Sequence, residues 1–203
     1  MNKKFDGGGN YYNKYDSKNP IVQALMKKYF KDLDSLILPI KHEITTALEI
    51  GCGEGYVSKH IQDLGINIEG ADISGRIIQV ARMLHPSIEF RTQSIYDLDP
   101  SKKKYDIIFV NQVFEHLESL EAALLQIQKS TSKYLFFSVP NEPFFRIANL
   151  MRLHYLSDFG NPPGHINHWS KKSFQILLES HKLDIITILT STIWILALCK
   201  TGK

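Results

Sequence analysis

After Pro39, the hydrophobic residues of this chain alternate between short β-rich runs and stretches with apolar positions at helical spacing. The short runs predict five strands, at about residues 46–50, 67–72, 88–92, 106–111 and 134–139. The stretches between them predict helices over 57–64, 74–84 and 118–129. Such alternation is typical of a parallel sheet that is covered by helices on both faces.

Two more β-rich runs follow near the end of the chain, after a helix that Ser170 can cap and that extends through His181. The two runs, Leu183 to Leu189 and Thr192 to Cys199, are joined so tightly that they are expected to pair antiparallel.

The segment before Pro39 has a different pattern. Asn19-Pro20 predicts the start of a helix with one buried face, since proline is favoured in a first turn and apolar residues follow at helical spacing. Residues 1–40 are therefore predicted to form an N-terminal arm and a lid helix, ahead of a main domain over 41–203. The arm is rich in Gly, Asn and Lys, a composition that favours disorder. Its tyrosines could instead fold over the site, and both alternatives stay open.

Residues 141–169 contain more aromatic residues, proline and glycine than a simple crossover needs, which predicts an inserted lid or substrate segment. Within it, Phe144 to Leu156 has apolar residues at helical spacing. This helix could serve as a lid, a dimer surface or a membrane-surface contact. A lid is favoured, because closure would exclude water from the reaction.

Composition narrows the function classes. The 203 residues are 43% hydrophobic and 22% charged, as in an ordinary globular domain, and the net charge is only +3. Lys102-Lys103-Lys104 is more typical of a solvated loop than of a nucleic-acid patch. Two cysteines favour a reducing, cytoplasmic setting. No secretion signal is apparent, and the longest apolar stretch, Ile193 to Cys199, is too short to span a bilayer.

The most informative motif follows the first predicted strand, where an apolar run breaks into three alternate glycines, Gly51, Gly53 and Gly55. Glycine is needed where backbone takes positive φ or lies against a ligand. The spacing is not that of a dinucleotide fingerprint, and Glu54 would repel a pyrophosphate at the start of the next helix. A ligand with an ammonium and a sulfonium fits better, as in S-adenosylmethionine (SAM).

The loop is joined in order and spacing by Gly70-Ala-Asp72, Tyr105 to Val110 and Phe114-Glu-His-Leu117. From about Thr46 to its end, the chain resembles the class I SAM-dependent methyltransferases of small-molecule type, nearest to the ubiquinone-type O-methyltransferases. The resemblance implies an α/β fold: a Rossmann-like seven-stranded sheet with helices on both faces, mostly parallel, with one antiparallel strand near the C-terminus. It also implies SAM as cofactor and S-adenosylhomocysteine (SAH) as product.

Residues after strands one to four are expected to converge on that cofactor, as they do in open α/β sheets. Asp72 is placed to accept hydrogen bonds from both ribose hydroxyls, and Glu49 to orient the ammonium. Ser94 stands where the family commonly has an acidic residue for the adenine, with Asp97 as the alternative. The other predicted cofactor-binding residues are Gly51, Cys52, Gly53, Ile73, Ile95, Asn111, Gln112 and Val113. Cys52 is interpreted as a small residue in a crowded loop rather than a nucleophile.

Catalysis of methyl transfer needs positioning and, for an O–H acceptor, a base. His165 and His168, in a loop that resembles the family's His-x-x-His-Trp segment, are the predicted bases. Glu115 and His116 are interpreted as cap and packing groups. A metal site from His154, His165, His168 and Asp158 is less favoured, and no metal is predicted. The predicted substrate-binding residues are Tyr11, Tyr15, Phe144, Tyr155 and Trp169.

These features predict a SAM-dependent methyltransferase that acts on a small, apolar or aromatic acceptor, with O-methylation favoured and no nucleic-acid partner. A nucleic-acid methyltransferase, a SAM-binding protein without catalysis and a homodimer stay open as alternatives. An NAD oxidoreductase would need the longer glycine spacing. Asn161-Pro-Pro-Gly164 resembles a nucleic-acid amino-methylation motif but lies about fifty residues too late.

Overall fold

The computed structural model describes Tyr15 and residues 17–151, 158–162 and 164–201. Seven strands form one mixed sheet. They are β1 (Ala47–Ile50), β2 (Ile68–Asp72), β3 (Glu89–Thr92), β4 (Tyr105–Asn111), β5 (Thr131–Pro140), β6 (Asp184–Ser191) and β7 (Trp194–Lys200). The helices are α1 (Pro20–Ile37), α2 (Tyr56–Asp63), α3 (Gly75–Leu84), α4 (Leu120–Ser130), α5 (Phe144–Met151) and α6 (Lys171–Ser180).

The strand order across the sheet is β3-β2-β1-β4-β5-β7-β6. β1 to β5 pair in parallel, whereas β7 is antiparallel to both β5 and β6. The predicted fold class is therefore confirmed, including the single reversed strand near the C-terminus. The chain order of strands changes direction between β1 and β4, so the carboxyl ends of β1, β2 and β4 meet at the edge where α/β sheets bind ligands.

Two apolar layers enclose the sheet. Every residue of β1 is buried, as expected for a strand that is covered on both faces. On one face, α4 and α6 pack with Leu48 and Ile50. On the other, α1 and α2 pack with Ala47, and Leu33 of α1 is fully buried. The buried face predicted for the first helix is thus present, and α1 forms part of the layer beside the site.

Helix starts follow their local chemistry. The side chain of Asn19 accepts a hydrogen bond from the backbone N–H of Ile21, and Ser74 does the same for Ile77. Ser170 and Ser173 form a reciprocal capping box at the start of α6. These caps place three helix starts within a residue or two of the predicted positions.

The boundaries of β5 differ most from the prediction. The strand begins at Thr131, three polar residues before the apolar run, because its ladder with β4 already starts at Tyr105↔Thr131. Of the described residues, none belongs to a helix with both the length and the apolarity to cross a bilayer.

Candidate active site

The glycine loop after β1 lies tightly against β2 and the loop that follows β4. Gly51, Gly53 and Gly55 have φ values of 74°, 54° and 83°, a region that side chains disfavour. A Cβ on Gly51 would lie 2.2 Å from Cγ2 of Val113. The N–H groups of Gly51 and Cys52 both donate to the carbonyl of Ala71, at 2.7 and 3.0 Å. Gly51 is therefore needed both for its backbone angle and for its close approach to Val113.

Asp72 ends β2 directly beside this loop. Its Oδ2 accepts a hydrogen bond of 3.0 Å from the N–H of Gly53, and its Oδ1 accepts one of 2.9 Å from the N–H of Ser74. Burial raises the pKa of Asp72, and these backbone donors oppose that shift. The carboxylate is thus fixed in orientation, while each oxygen keeps capacity to accept a further hydrogen bond from a ligand.

Glu49 is buried beneath the same loop, at 2% exposure. Its two oxygens accept hydrogen bonds from the Ser58 hydroxyl and from Nδ2 of Asn111, the latter at 2.9 Å. Burial raises its pKa from 4.5 to about 7, despite these two donors. A carboxyl held in this state gains most from an adjacent cation, because the cation would stabilise its charged form.

Two residues of this network were not among the predicted site residues. Ser58 lies on α2, and Tyr29 lies on α1, where its hydroxyl donates 3.1 Å to Oδ1 of Asn111. Burial raises the pKa of Tyr29 well above its usual range, so the hydroxyl stays protonated and can donate. Tyr29 occupies an apolar position of a helical pattern, so the sequence alone assigns it to the core.

The remaining predicted cofactor residues occupy three neighbouring loops. After β2, Ile73 is exposed. After β3, Ile95 is buried and Ser94 caps a short 3-10 turn, its Oγ accepting from the N–H of Tyr96 at 3.3 Å. After β4, Gln112 has a φ of 54° and its side chain donates to the Ser138 hydroxyl at 2.9 Å. The loops thus bring these residues to the same edge of the sheet.

Cys52 faces inward and packs with Ile78, Ala81, Ile88 and Phe90. Burial, followed by the nearby charges of Glu49 and Asp72, raises the pKa of its thiol far above the usual range. A protonated, buried thiol is a weak nucleophile, and the described contacts of Cys52 are those of a packing residue.

Tyr15 is the predicted arm residue that the structure describes. Its ring stacks on Tyr56 at 4.8 Å between centroids, at the start of α2. Burial raises the pKa of its hydroxyl, and the charges of Tyr29, Glu49 and Glu54 raise it further. Tyr15 therefore packs at the start of α2, near enough to Glu49 and Glu54 for their charges to act on its hydroxyl. Tyr11 is outside the described residues.

The segment after β5 places two aromatic rings, of Phe144 and Phe145, on α5. A hydrogen bond joins α5 to the backbone at Gly160. Phe144 is 58% exposed, while its neighbour Phe145 stacks on His165 at 5.8 Å. Asn149 is buried and donates 2.9 Å to the carbonyl of Gly160, which fastens α5 to the loop that contains Gly160. Tyr155 and His154 lie outside the described residues.

Trp169 was predicted to contact substrate, but its ring contacts are internal. It is 7% exposed and lies 5.6 Å from Phe174 and 6.5 Å from Phe114, centroid to centroid. These rings belong to the core between the sheet and α6, so the described contacts of Trp169 are those of a packing residue.

The two histidines of this loop have different surroundings. His168 is exposed beside Glu142, whose pKa burial raises, while a hydrogen bond from Arg146 and the proximity of His168 oppose that shift. His165 is half-buried, and its ring meets that of His116 edge-on at 4.8 Å. Glu115, His116 and His165 each offer a ligand atom, and these atoms lie within 4.8 Å of one another. The interpretation of Glu115 and His116 as cap and packing groups missed this cluster, because its members come from two distant loops.

A sequence profile of the methyltransferase domain family matches residues 22–188. The chain belongs to this family. A malonyl-[acyl-carrier protein] O-methyltransferase of Halalkalibacterium halodurans is 25% identical over 150 residues, which are 68% of this chain and 55% of that protein. A ubiquinone biosynthesis O-methyltransferase of Cereibacter sphaeroides is 30% identical over 102 residues, 48% of this chain and 40% of that protein.

This methyltransferase domain thus spans about half the length of the curated relatives it matches. Among solved structures, a plantazolicin methyltransferase in complex with a monoazolic analog and SAH has a TM-score of 0.71 at 18% identity, over 94% of this chain and 88% of that one. Magnesium protoporphyrin IX methyltransferase from Synechocystis with bound SAH has a TM-score of 0.67 at 16% identity, over 92% and 89%. The resemblance to class I SAM-dependent methyltransferases is confirmed at the level of family and fold.

Proposed function

We propose that this methyltransferase domain binds SAM and transfers its methyl group to an oxygen of a small, apolar or aromatic acceptor. The observation that carries the proposal is the pair of buried carboxylates, Glu49 and Asp72, on either side of the glycine loop. Each is fixed by two hydrogen bonds from the protein. Both lie at the point where the strand order reverses, between β1 and β4.

The two carboxylates suit opposite ends of SAM. Glu49, with its pKa of about 7, is stabilised as an anion when the ammonium of the methionine portion lies nearby. Asp72 is oriented by Gly53 and Ser74 to accept hydrogen bonds from the ribose hydroxyls. The backbone of Gly51 and Gly53 runs between them, where a side chain on Gly51 would strike Val113. Both solved structures named above hold SAH, which supports the same ligand here.

An oxygen acceptor is supported by the relatives, since both curated proteins named above are O-methyltransferases. A small, apolar acceptor is supported by aromatic rings beside a predicted base and beside the residue that follows the glycine loop. Phe145 stacks on His165, Tyr15 stacks on Tyr56 directly after the glycine loop, and Phe144 is exposed.

Methyl transfer from a sulfonium is a direct displacement, so the domain acts mainly by holding acceptor oxygen, methyl carbon and sulfur in line. Of the predicted bases, His168 is the better placed to pass a proton to solvent, because it is exposed beside Glu142. The ring of His165 is enclosed between Phe145 and His116.

The predicted division of the chain is part of the proposal. Residues 1–40 contribute an arm and the helix α1, and 141–169 form a lid or substrate segment over the main domain. The contacts of Tyr15 and Tyr29 near Glu49 support a closing role for the first segment. Both cysteines are free and buried, which fits the proposed cytoplasmic location.

The test is incubation of the purified chain with methyl-labelled SAM and a fractionated metabolite extract. We expect label in a low-molecular-weight product whose methyl ester or ether identifies an oxygen acceptor. Label in added RNA or DNA instead would establish a nucleic-acid methyltransferase. Tight SAM binding without label in any fraction would favour a binding protein that lacks catalysis.

A further inference from the structure

Three potential metal ligands come together beside the expected position of the methyl acceptor. Glu115 and His116 lie on a 3-10 turn, Phe114–His116, which follows β4. His165 comes from the loop that precedes α6. One ligand atom from each residue lies within 4.8 Å of the other two. Ligands about 2.1 Å from a tetrahedral zinc ion are roughly 3.4 Å apart, so small side-chain rotations bring all three to bonding distance.

The donor set matches a recognised class of metal site. Two imidazoles and one carboxylate hold zinc in catalytic sites that keep an open coordination position. Glu115 is 1% exposed, which shields its carboxylate from water. A divalent ion between this buried carboxylate and two neutral imidazoles would stabilise the carboxylate in its charged form.

The hydrogen bond of His116 prepares its ring for this role. Nδ1 lies 3.0 Å from the carbonyl of Gly164, so the proton resides on Nδ1 and the lone pair on Nε2. Metal-binding histidines almost always donate their second ring nitrogen to a carbonyl or carboxylate in this way.

The two loops are also fastened to each other. The N–H groups of Ile166 and Asn167 donate to the carbonyl of Glu115, at 2.8 and 3.2 Å. The side-chain amide of Asn167 donates to the carbonyls of Phe114 and Leu117, at 3.0 and 2.7 Å. With Phe145 stacked on the His165 ring, these contacts keep the three ligands close together before any ion binds.

We propose that Glu115, His116 and His165 bind one divalent first-row transition metal ion, and that zinc suits this donor set best. Three protein ligands leave at least one coordination position open to water. The 3-10 turn directly continues the loop of Asn111 and Val113 at the candidate cofactor site. A further step, which rests on the proposed function, is that an acceptor oxygen takes this open position in place of water.

The test uses the full chain after chelator treatment and removal of the chelator. Zn²⁺ is titrated in competition with a chromophoric chelator, and Co²⁺ is added separately to record its ligand-field absorption. We expect one equivalent of tightly bound Zn²⁺ and a tetrahedral or five-coordinate Co²⁺ spectrum. Absence of stoichiometric binding, or a spectrum of hexaaqua Co²⁺ only, would overturn the proposal.

His165→Ala is the main variant, because His165 is only half-buried and its removal leaves the core intact. We expect its zinc affinity to fall by more than about 100-fold, because loss of a hydrogen-bond partner of a metal ligand alone lowers affinity by about 10- to 100-fold. His42→Ala, at an exposed histidine next to Glu43, is the matched control and should bind as the wild type does. Equal zinc affinity in His165→Ala and wild type would contradict the assignment.

Two further measurements keep the outcomes separate. Circular dichroism and thermal unfolding without metal show whether each variant is folded. SAM titration of the chelator-treated chain tests the cofactor site alone. Loss of zinc binding with intact SAM binding would reject only the metal site, whereas the converse would reject only the cofactor assignment.

Discussion

The Tyr29 hydroxyl donates a hydrogen bond of 3.1 Å to Oδ1 of Asn111, a residue 82 positions further along the chain. Because Oδ1 accepts from Tyr29, the amide of Asn111 is oriented with Nδ2 towards Glu49, where it donates at 2.9 Å. Helix α1 therefore fixes the carboxylate that is expected to face the ammonium of SAM. Removal of the Tyr29 hydroxyl on α1 should therefore lower the affinity of the cofactor site for SAM.

Tyr29→Phe removes that hydroxyl and leaves the ring in place. We expect SAM affinity to fall about 3- to 10-fold, and the free energy of unfolding to fall by about 1 kcal/mol, as for one lost hydrogen bond. Tyr134→Phe is the matched control, since its buried ring carries a hydroxyl that donates to Glu43. Calorimetric titration should show weaker SAM binding for Tyr29→Phe and unchanged binding for Tyr134→Phe. An equal loss of SAM affinity in both variants would indicate general destabilisation.

The pKa of Glu49 predicts a pH dependence of stability. Because burial raises this pKa from 4.5 to about 7, the folded protein holds the proton more tightly than the unfolded chain does. The contribution of Glu49 to the free energy of unfolding is therefore fully present below about pH 4.5. It is lost as the pH rises through about 7, and the loss amounts to at most roughly 3 kcal/mol. Glu49→Gln should remove this loss, so the ligand-free variant is more stable than wild type at about pH 8.

The same substitution should weaken SAM binding by at least about 10-fold, because the ammonium loses its anionic partner. Wild-type SAM affinity should rise as pH increases through about 7, and the variant should lack this rise. Urea unfolding and SAM titration at about pH 5 and 8 measure both effects. Glu89→Gln, at an exposed carboxylate of β3, is the control. A variant less stable than wild type at about pH 8 would refute the account of Glu49.

Asp72→Ala should lower SAM and SAH affinity by about 10- to 150-fold, because hydrogen bonds to a charged acceptor contribute roughly 1.5–3 kcal/mol. Part of the loss would come from the loop, since the N–H groups of Gly53 and Ser74 lose their acceptors. Asp63→Ala removes an exposed carboxylate that pairs with Lys59 and should bind SAM normally. Near-normal binding by Asp72→Ala would exclude the proposed ribose contact.

Gly51→Ala tests the close packing of the glycine loop. A methyl group there meets Cγ2 of Val113 at 2.2 Å, and the φ of 74° is unfavourable for alanine. We expect a loss of about 1–3 kcal/mol in unfolding free energy and weaker SAM binding. Gly75→Ala, where the nearest atom is an ordinary 3.4 Å away, should be neutral or slightly stabilising. Thermal unfolding of both variants tests this prediction. Equal unfolding temperatures would show that Gly51 is not sterically required.

The fold was predictable because the strands and helices follow from the local pattern of apolar and polar residues. Strands that are buried on both faces, such as β1 and β4, leave continuous apolar runs, and caps such as Ser74 and Ser170 mark helix starts. The position of Asp72 at the end of β2 was predictable as well, since it closes a short β-rich run about twenty residues after the glycine loop. The start of β5 was not, because Thr131 pairs with β4 through backbone hydrogen bonds that need no apolar side chain.

The parts of the site that were missed depend on long-range packing. Tyr29 has the spacing of a core residue, and only the docking of α1 brings its hydroxyl to Asn111. The cluster of Glu115, His116 and His165 forms because the loop after β5 returns to the turn after β4. Because the two loops are far apart in the chain, no motif within either one predicts the contact between them.

The central claim is that the edge of the sheet between Glu49 and Asp72 holds a sulfonium donor. Isothermal titration of the purified chain with SAM, SAH and NAD tests it most directly. We expect saturable one-to-one binding of SAM and SAH, with no competition from NAD. Binding of NAD with no heat from SAM or SAH would contradict it.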